Sequence, residues 1–165
     1  MVWSSLGKMK KILLAMLFAT VSNVGHAGSE IDETLKSMDI IDENYVYLNT
    51  ALAAEFFRFL NDEQAQSSPK NTNKSFKIEK MEMTPYFGQI STTYTIPLNA
   101  DEKGQLIRDL SSVETLQNFC TDTFIPYKYM AANNVTFSYL YYDQDRQPLT
   151  SITMNKDTCH DALNQ

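Results

Sequence analysis

The chain has 165 residues and a formal net charge of −6 at pH 7, with 14 Lys and Arg set against 20 Asp and Glu. That balance argues against nucleic acid as a partner, because phosphate-binding surfaces need clustered Lys and Arg. Beyond residue 27 one histidine, His160, and two cysteines remain, one ligand short of a usual tetrahedral zinc set even with both thiols free.

Lys8, Lys10 and Lys11 give a basic start, Ile12 to Val21 an apolar run, and Gly25-His26-Ala27 small residues around a cut. This is the pattern of an export signal over residues 1–27. The run is shorter than the roughly 18 apolar residues a membrane span needs, so no membrane anchor is expected after cleavage. Met9-Lys10-Lys11 also reads as a complete signal start, leaving Met1 or Met9 as the first residue. Removing residues 1–27 takes three lysines and no acids, moving the net charge from −6 to −9. Residues 28–165 are one domain's worth of chain. The expected location is the periplasm or the exterior, where two cysteines are most simply one disulfide, Cys120–Cys159.

In chain order, Ile31, Leu35, Met38, Tyr45, Leu48, Leu52, Phe56 and Phe59 step by threes and fours. That spacing predicts a long amphipathic helix, with a bend or break allowed at Asp42-Glu43-Asn44. Alternation over Ser75 to Met83 and again over Ile90 to Ile96 predicts a hairpin around Thr84-Pro85-Tyr86-Phe87-Gly88. Asn99 with Glu102 has the spacing of a capping box. The helix it opens carries Leu106, Leu110, Val113, Leu116 and Cys120 on one stripe. Tyr129-Met130-Ala131-Ala132 has the makings of a short helical turn. Val135 to Tyr142 is rich in β formers, turns at Asp143 to Pro148, and returns from Leu149 to about Asn155 as a second hairpin. The order helix, hairpin, helix, hairpin predicts an α+β two-layer sandwich, in which an antiparallel sheet of about four strands carries the long N-terminal helix and a second helix on one face.

Little in the chain points to chemistry. His160 adjoins Cys159, whose thiol is consumed if the disulfide forms, which removes a Cys-His nucleophile pair. Glu79 and Glu82 fall on opposite faces of a strand and cannot act together on a sugar. Asp143, Asp145 and Asp157 lack the glycine and terminal glutamate of a twelve-residue calcium loop. The methionines are more simply packing residues than soft-metal ligands. No Gly-rich phosphate loop or dinucleotide fingerprint is present, so neither catalytic residues nor cofactors are assigned. What remains is tyrosine: Tyr139, Leu140, Tyr141 and Tyr142 on the second hairpin, with Tyr127 and Tyr129 nearby, form the candidate binding surface. The sequence therefore reads as an exported, non-enzymatic protein-binding module, an inhibitor or accessory factor of a bacterial envelope assembly with another envelope or secreted protein as partner. The alternative is a periplasmic small-molecule or glycan binder, or a weak carboxylate-based hydrolase.

Overall fold

The computed structural model describes residues 27–67 and 75–164. The export signal, and the loop expected around Pro69, fall outside them apart from Ala27. Among the described residues, six α-helices and a four-stranded sheet form an α+β fold with helices packed on the sheet. The elements are α1 (Ala27–Ser37), α2 (Thr50–Ser67), β1 (Phe76–Met83), β2 (Phe87–Tyr94), α3 (Ala100–Leu110), α4 (Val113–Phe119), a π-helical turn (Cys120–Phe124), α5 (Lys128–Ala132), β3 (Thr136–Tyr142), β4 (Pro148–Met154) and α6 (Lys156–Leu163).

The sheet order is β1-β2-β3-β4, with two antiparallel hairpins joined by a parallel β2–β3 pair. The antiparallel expectation thus holds within each hairpin and not at the junction. A parallel pair requires a long crossover, and residues 95–135, carrying α3 to α5, supply it. The arrangement puts the β-branched and aromatic strands in the centre. It leaves the charged β1 (Lys77, Glu79, Lys80, Glu82) and Pro148 of β4 at the edges, where unpaired backbone is tolerated and further pairing is discouraged. On β1, the Asn61 side chain of α2 both accepts from Met83 N–H (2.8 Å) and donates to Met83 C=O (2.7 Å).

Register fixes the two faces. Gly88, Ile90, Thr92 and Tyr94 of β2 share the helix side with Phe137, Tyr139 and Tyr141 of β3 and with Ile152 and Met154 of β4. A Cβ on Gly88 would lie 2.3 Å from the Phe137 ring, so this position needs glycine for close approach rather than for a turn. The opposite face presents Gln89, Ser91, Thr93, Ser138, Leu140, Tyr142, Ser151 and Thr153. Leu35, Ile40, Ala53, Phe57, Tyr129, Val135 and Met154 form the driest part of the core.

Two helical stripes break where polar residues compete for the backbone. The N-terminal stripe divides into α1 and α2, separated by residues 38–49, in which Asp39 (φ 55°) and Tyr45 (φ 66°) adopt left-handed backbone. The second stripe divides at Ser111-Ser112: Ser111 ends α3, and the Ser112 hydroxyl accepts from Thr115 N–H (3.1 Å) to open α4. The Asn99–Glu102 capping box is formed as expected.

Cys120 and Cys159 are disulfide-bonded across 39 positions. Cys159 lies on α6, so the bond ties the end of the crossover to a terminal helix rather than to the end of β4. In the chain-entropy picture a loop of this length stabilises the fold by roughly 4 kcal/mol. Replacing both cysteines by serine is expected to lower unfolding stability by about that amount in equilibrium denaturation, less any structure kept by the unfolded chain. A change within about 0.5 kcal/mol of zero would show the crosslink to be redundant.

Candidate functional site

The six residues singled out from sequence divide between the two sides of the sheet. Tyr129 is 1 % exposed and Tyr141 9 %. Tyr139 packs edge-on to Phe119 (centroids 4.6 Å) and against Phe137 (5.4 Å) beneath the helices. Tyr127 is partly buried beside Tyr129. Burial raises the phenol pKa of all four. Leu140 and Tyr142 lie on the opposite face, each partly exposed, among serines and threonines. Most of the tyrosine set is therefore core, and only Leu140 and Tyr142 remain available as surface.

A different surface emerges at the start of the parallel pair. Leu48 is 62 % exposed and Tyr86 53 %, with Val46 and Phe87 also exposed. They sit on residues 38–49 and on the β1–β2 turn with Phe87, the first residue of β2, two segments that hold each other. The Tyr47 hydroxyl donates to the Pro85 carbonyl (2.7 Å), and its ring meets Tyr86 edge-on at 5.7 Å.

The first loop is fixed from within by Asp42. Its Oδ1 accepts from Asn44 N–H (2.8 Å) and Val46 N–H (2.9 Å), while Ile41 and Tyr47 form a β-bridge. From without it is fixed by Asn133, a buried residue just after α5. The Asn133 Oδ1 accepts from Tyr47 N–H (2.9 Å), and its Nδ2 donates to the carbonyls of Tyr45 (2.7 Å) and Tyr129 (2.8 Å). Lys36 and Lys128 lie over the Tyr45 ring at 4.2 and 5.0 Å, and Lys128 Nζ also donates to the Tyr45 hydroxyl at 3.1 Å.

The short helix α5 is anchored in turn by Asp32 of α1. Asp32 is 2 % exposed and accepts from Lys128 N–H (3.0 Å) and Tyr129 N–H (3.3 Å). Burial pushes its carboxyl pKa above the usual carboxylate range, against the opposing pull of those N–H groups and of Lys128. Asp143, in the second hairpin, shows the reverse: its bond from Lys103 Nζ (2.6 Å), together with the Gln147 and Asp145 N–H groups, lowers its carboxyl pKa. That contribution to stability is present above the ordinary carboxylate pKa and is lost as pH falls through the lowered one.

A concavity lies between the π-turn–α5 segment and α6, with a volume of about 300 Å³. One wall is Phe124, Ile125, Lys128 and Ala131; the other is Lys156, Cys159, His160 and Leu163, a single face of α6. The helix α6 went unread in the sequence, although Asn155 three places before Thr158 forms a capping box and was the available signal. Among the described residues, no group of three or more His, Cys, Asp or Glu side chains is placed to hold a metal ion, and no helix is long and apolar enough to cross a membrane.

No protein-family model and no curated protein matches the chain. Two solved structures are similar at 11 % identity. One is a candidate secreted protein of Pseudomonas aeruginosa, with a TM-score of 0.49, covering 68 % of this chain and 96 % of that one. The other is the pilotin of the type 2 secretion system of Vibrio vulnificus, with a TM-score of 0.42, covering 67 % of this chain and 90 % of that one.

Two substitutions separate the roles of the buried polar groups. Asn133→Ala leaves the Tyr47 N–H and the Tyr45 carbonyl without their partner, while the Tyr129 carbonyl keeps the backbone N–H of residue 133, and is expected to cost about 2–3 kcal/mol in denaturant unfolding. Tyr129 carries a buried hydroxyl with no hydrogen-bond partner among the described residues, so Tyr129→Phe is expected to stabilise by about 1 kcal/mol. Equal and small effects from both would mean that the loop does not depend on Asn133.

Proposed function

We propose that this chain is an exported, non-enzymatic protein-binding module, an inhibitor or accessory factor of a bacterial envelope assembly. In this reading residues 1–27 are a signal peptide, and residues 28–165 act as one domain in the periplasm or outside the cell. The observation that carries the reading is the pair of segments bearing Val46, Leu48, Tyr86 and Phe87. Large apolar side chains held outward on braced backbone are what a protein contact uses: the aromatic and aliphatic groups supply area, and the bracing removes the entropy cost of ordering a loop on binding. Tyr45 reinforces the point, since a left-handed tyrosine costs on the order of 1–2 kcal/mol and persists only where its surroundings hold it. The partner surface implied is apolar and rigid. Leu140 and Tyr142, on the polar face of the sheet, supply a secondary contact at most.

Photo-crosslinking in the producing bacterium tests this. A crosslinking amino acid placed at Tyr86 should yield one discrete protein adduct, which a second change, Leu48→Asp, abolishes, whereas the same group at Glu114 on α4 yields none. N-terminal sequencing of the recovered protein should begin at Gly28. Equal adducts from all positions, or an adduct only from Tyr142, would remove the loops as the contact surface.

A further inference from the structure

The groove between the π-turn–α5 segment and α6 carries a distribution of charge that the loop surface does not explain. Its floor and lips are apolar: Phe124 and Cys159 are buried, and Ile125 (52 % exposed) and Leu163 (42 %) stand open along its edges. Every ionisable side chain in its lining, Lys128, Lys156 and His160, is a base, on a chain whose net charge is −6. The nearest acids in sequence are Asp157 and Asp161 of α6, neither of which lines the groove. Asp161 lies 3.4 Å from His160, and Lys128 is turned onto Tyr45. Lys156 makes no ion pair or hydrogen bond among the described residues. The groove thus combines an apolar channel with one free ammonium at the first residue of α6.

Size selects the occupant. Residues 156 to 163 on one wall span about two helical turns, or roughly 10 Å, and the segment from Phe124 to Ala131 forms the other wall. The volume of about 300 Å³ is at the small end of ligand pockets, which run from about 300 to 1,000 Å³. We infer that this groove binds a free amphiphilic anion, a single alkyl tail ending in a carboxylate, with the tail along Phe124, Ile125, Ala131 and Leu163 and the carboxylate at Lys156. The disulfide ties the π-turn that leads into one wall, through Cys120, to Cys159 on the other, which limits how far the walls can part.

The test is an amide NMR titration of the oxidised protein with decanoate below its micelle-forming concentration, alongside hexanoate, decyl glucoside and an acidic amphipathic peptide. Decanoate is expected to shift amides confined to residues 124–131 and 156–163 and to saturate. Hexanoate should bind about tenfold more weakly or worse, through lost apolar contact. Decyl glucoside should bind about fivefold more weakly, as should decanoate to the Lys156→Glu variant, whose unchanged amide spectrum elsewhere reports an intact fold. The inference is overturned by no saturable shift, by equal binding of the glucoside, by shifts centred on Leu48 and Tyr86, or by a peptide that binds the groove more tightly than decanoate.

Discussion

One side-chain amide holds the surface to which the function is assigned. Asn133 matches its donor and acceptor to the backbone of Tyr45 and Tyr47, giving the 38–49 loop the hydrogen bonds that neither helix nor sheet supplies there. Asp42 and the Ile41–Tyr47 bridge shape the loop from within and Ile40 and Ile41 bury in the core, but it is Asn133 that ties the Tyr45–Tyr47 backbone to α5. The loop contains two left-handed non-glycine residues, and its exposed leucine and valine gain nothing from burial in the free protein. Losing the Asn133 amide strands the Tyr47 N–H and the Tyr45 carbonyl at once, so its removal costs more than a single hydrogen bond. Asn133 can do this only if α5 is immobile. A helix of five residues has no stability of its own in water, so its position rests on Asp32 at its start and on the burial of Tyr129 and Met130 within it.

The parallel β2–β3 pair explains why these parts meet. The crossover it demands delivers α5 to the end of the sheet where β2 and β3 begin, beside the β1–β2 turn. There Tyr86 C=O accepts from Thr136 N–H at 3.0 Å. The same crossover presents Cys120 to Cys159, tying the π-turn that leads into one wall of the groove to the other wall. Both candidate surfaces therefore flank α5, one through Asn133 and one through Lys128 and Ala131. A small domain places two recognition surfaces economically when both share one rigid element.

The parts of this architecture visible in the sequence were those governed by local rules. Alternation found the strands, the Asn99–Glu102 spacing found the start of α3, and the cysteine count found the disulfide. What escaped depended on competition or on distance. The stripe from Ile31 to Phe59 counted Leu48 as buried on a helix, yet Leu48 stands exposed in a loop, because the Asp42 carboxylate outbids the helix for nearby N–H groups. Leu106 to Cys120 kept helical phase across Ser111-Ser112, where the serines end one helix and start another. Alternation along β3 separated Leu140 and Tyr142 correctly from Phe137, but it carries no information on which side the helices cover, so Tyr139 and Tyr141 entered the candidate surface although they face the core. Asn133 was invisible for a simpler reason: its partners lie 86 and 88 residues away.

The central claim is that the 38–49 loop is preorganised rather than mobile, and native-state hydrogen exchange at the Tyr47 amide measures this directly. Bonded to Asn133, that amide should exchange only through large-scale opening, with protection approaching that of the core strand β3 and falling by several orders of magnitude in Asn133→Ala. Exchange of Tyr47 in the native protein at the rate of an exposed loop, while β3 stays protected, would contradict the account.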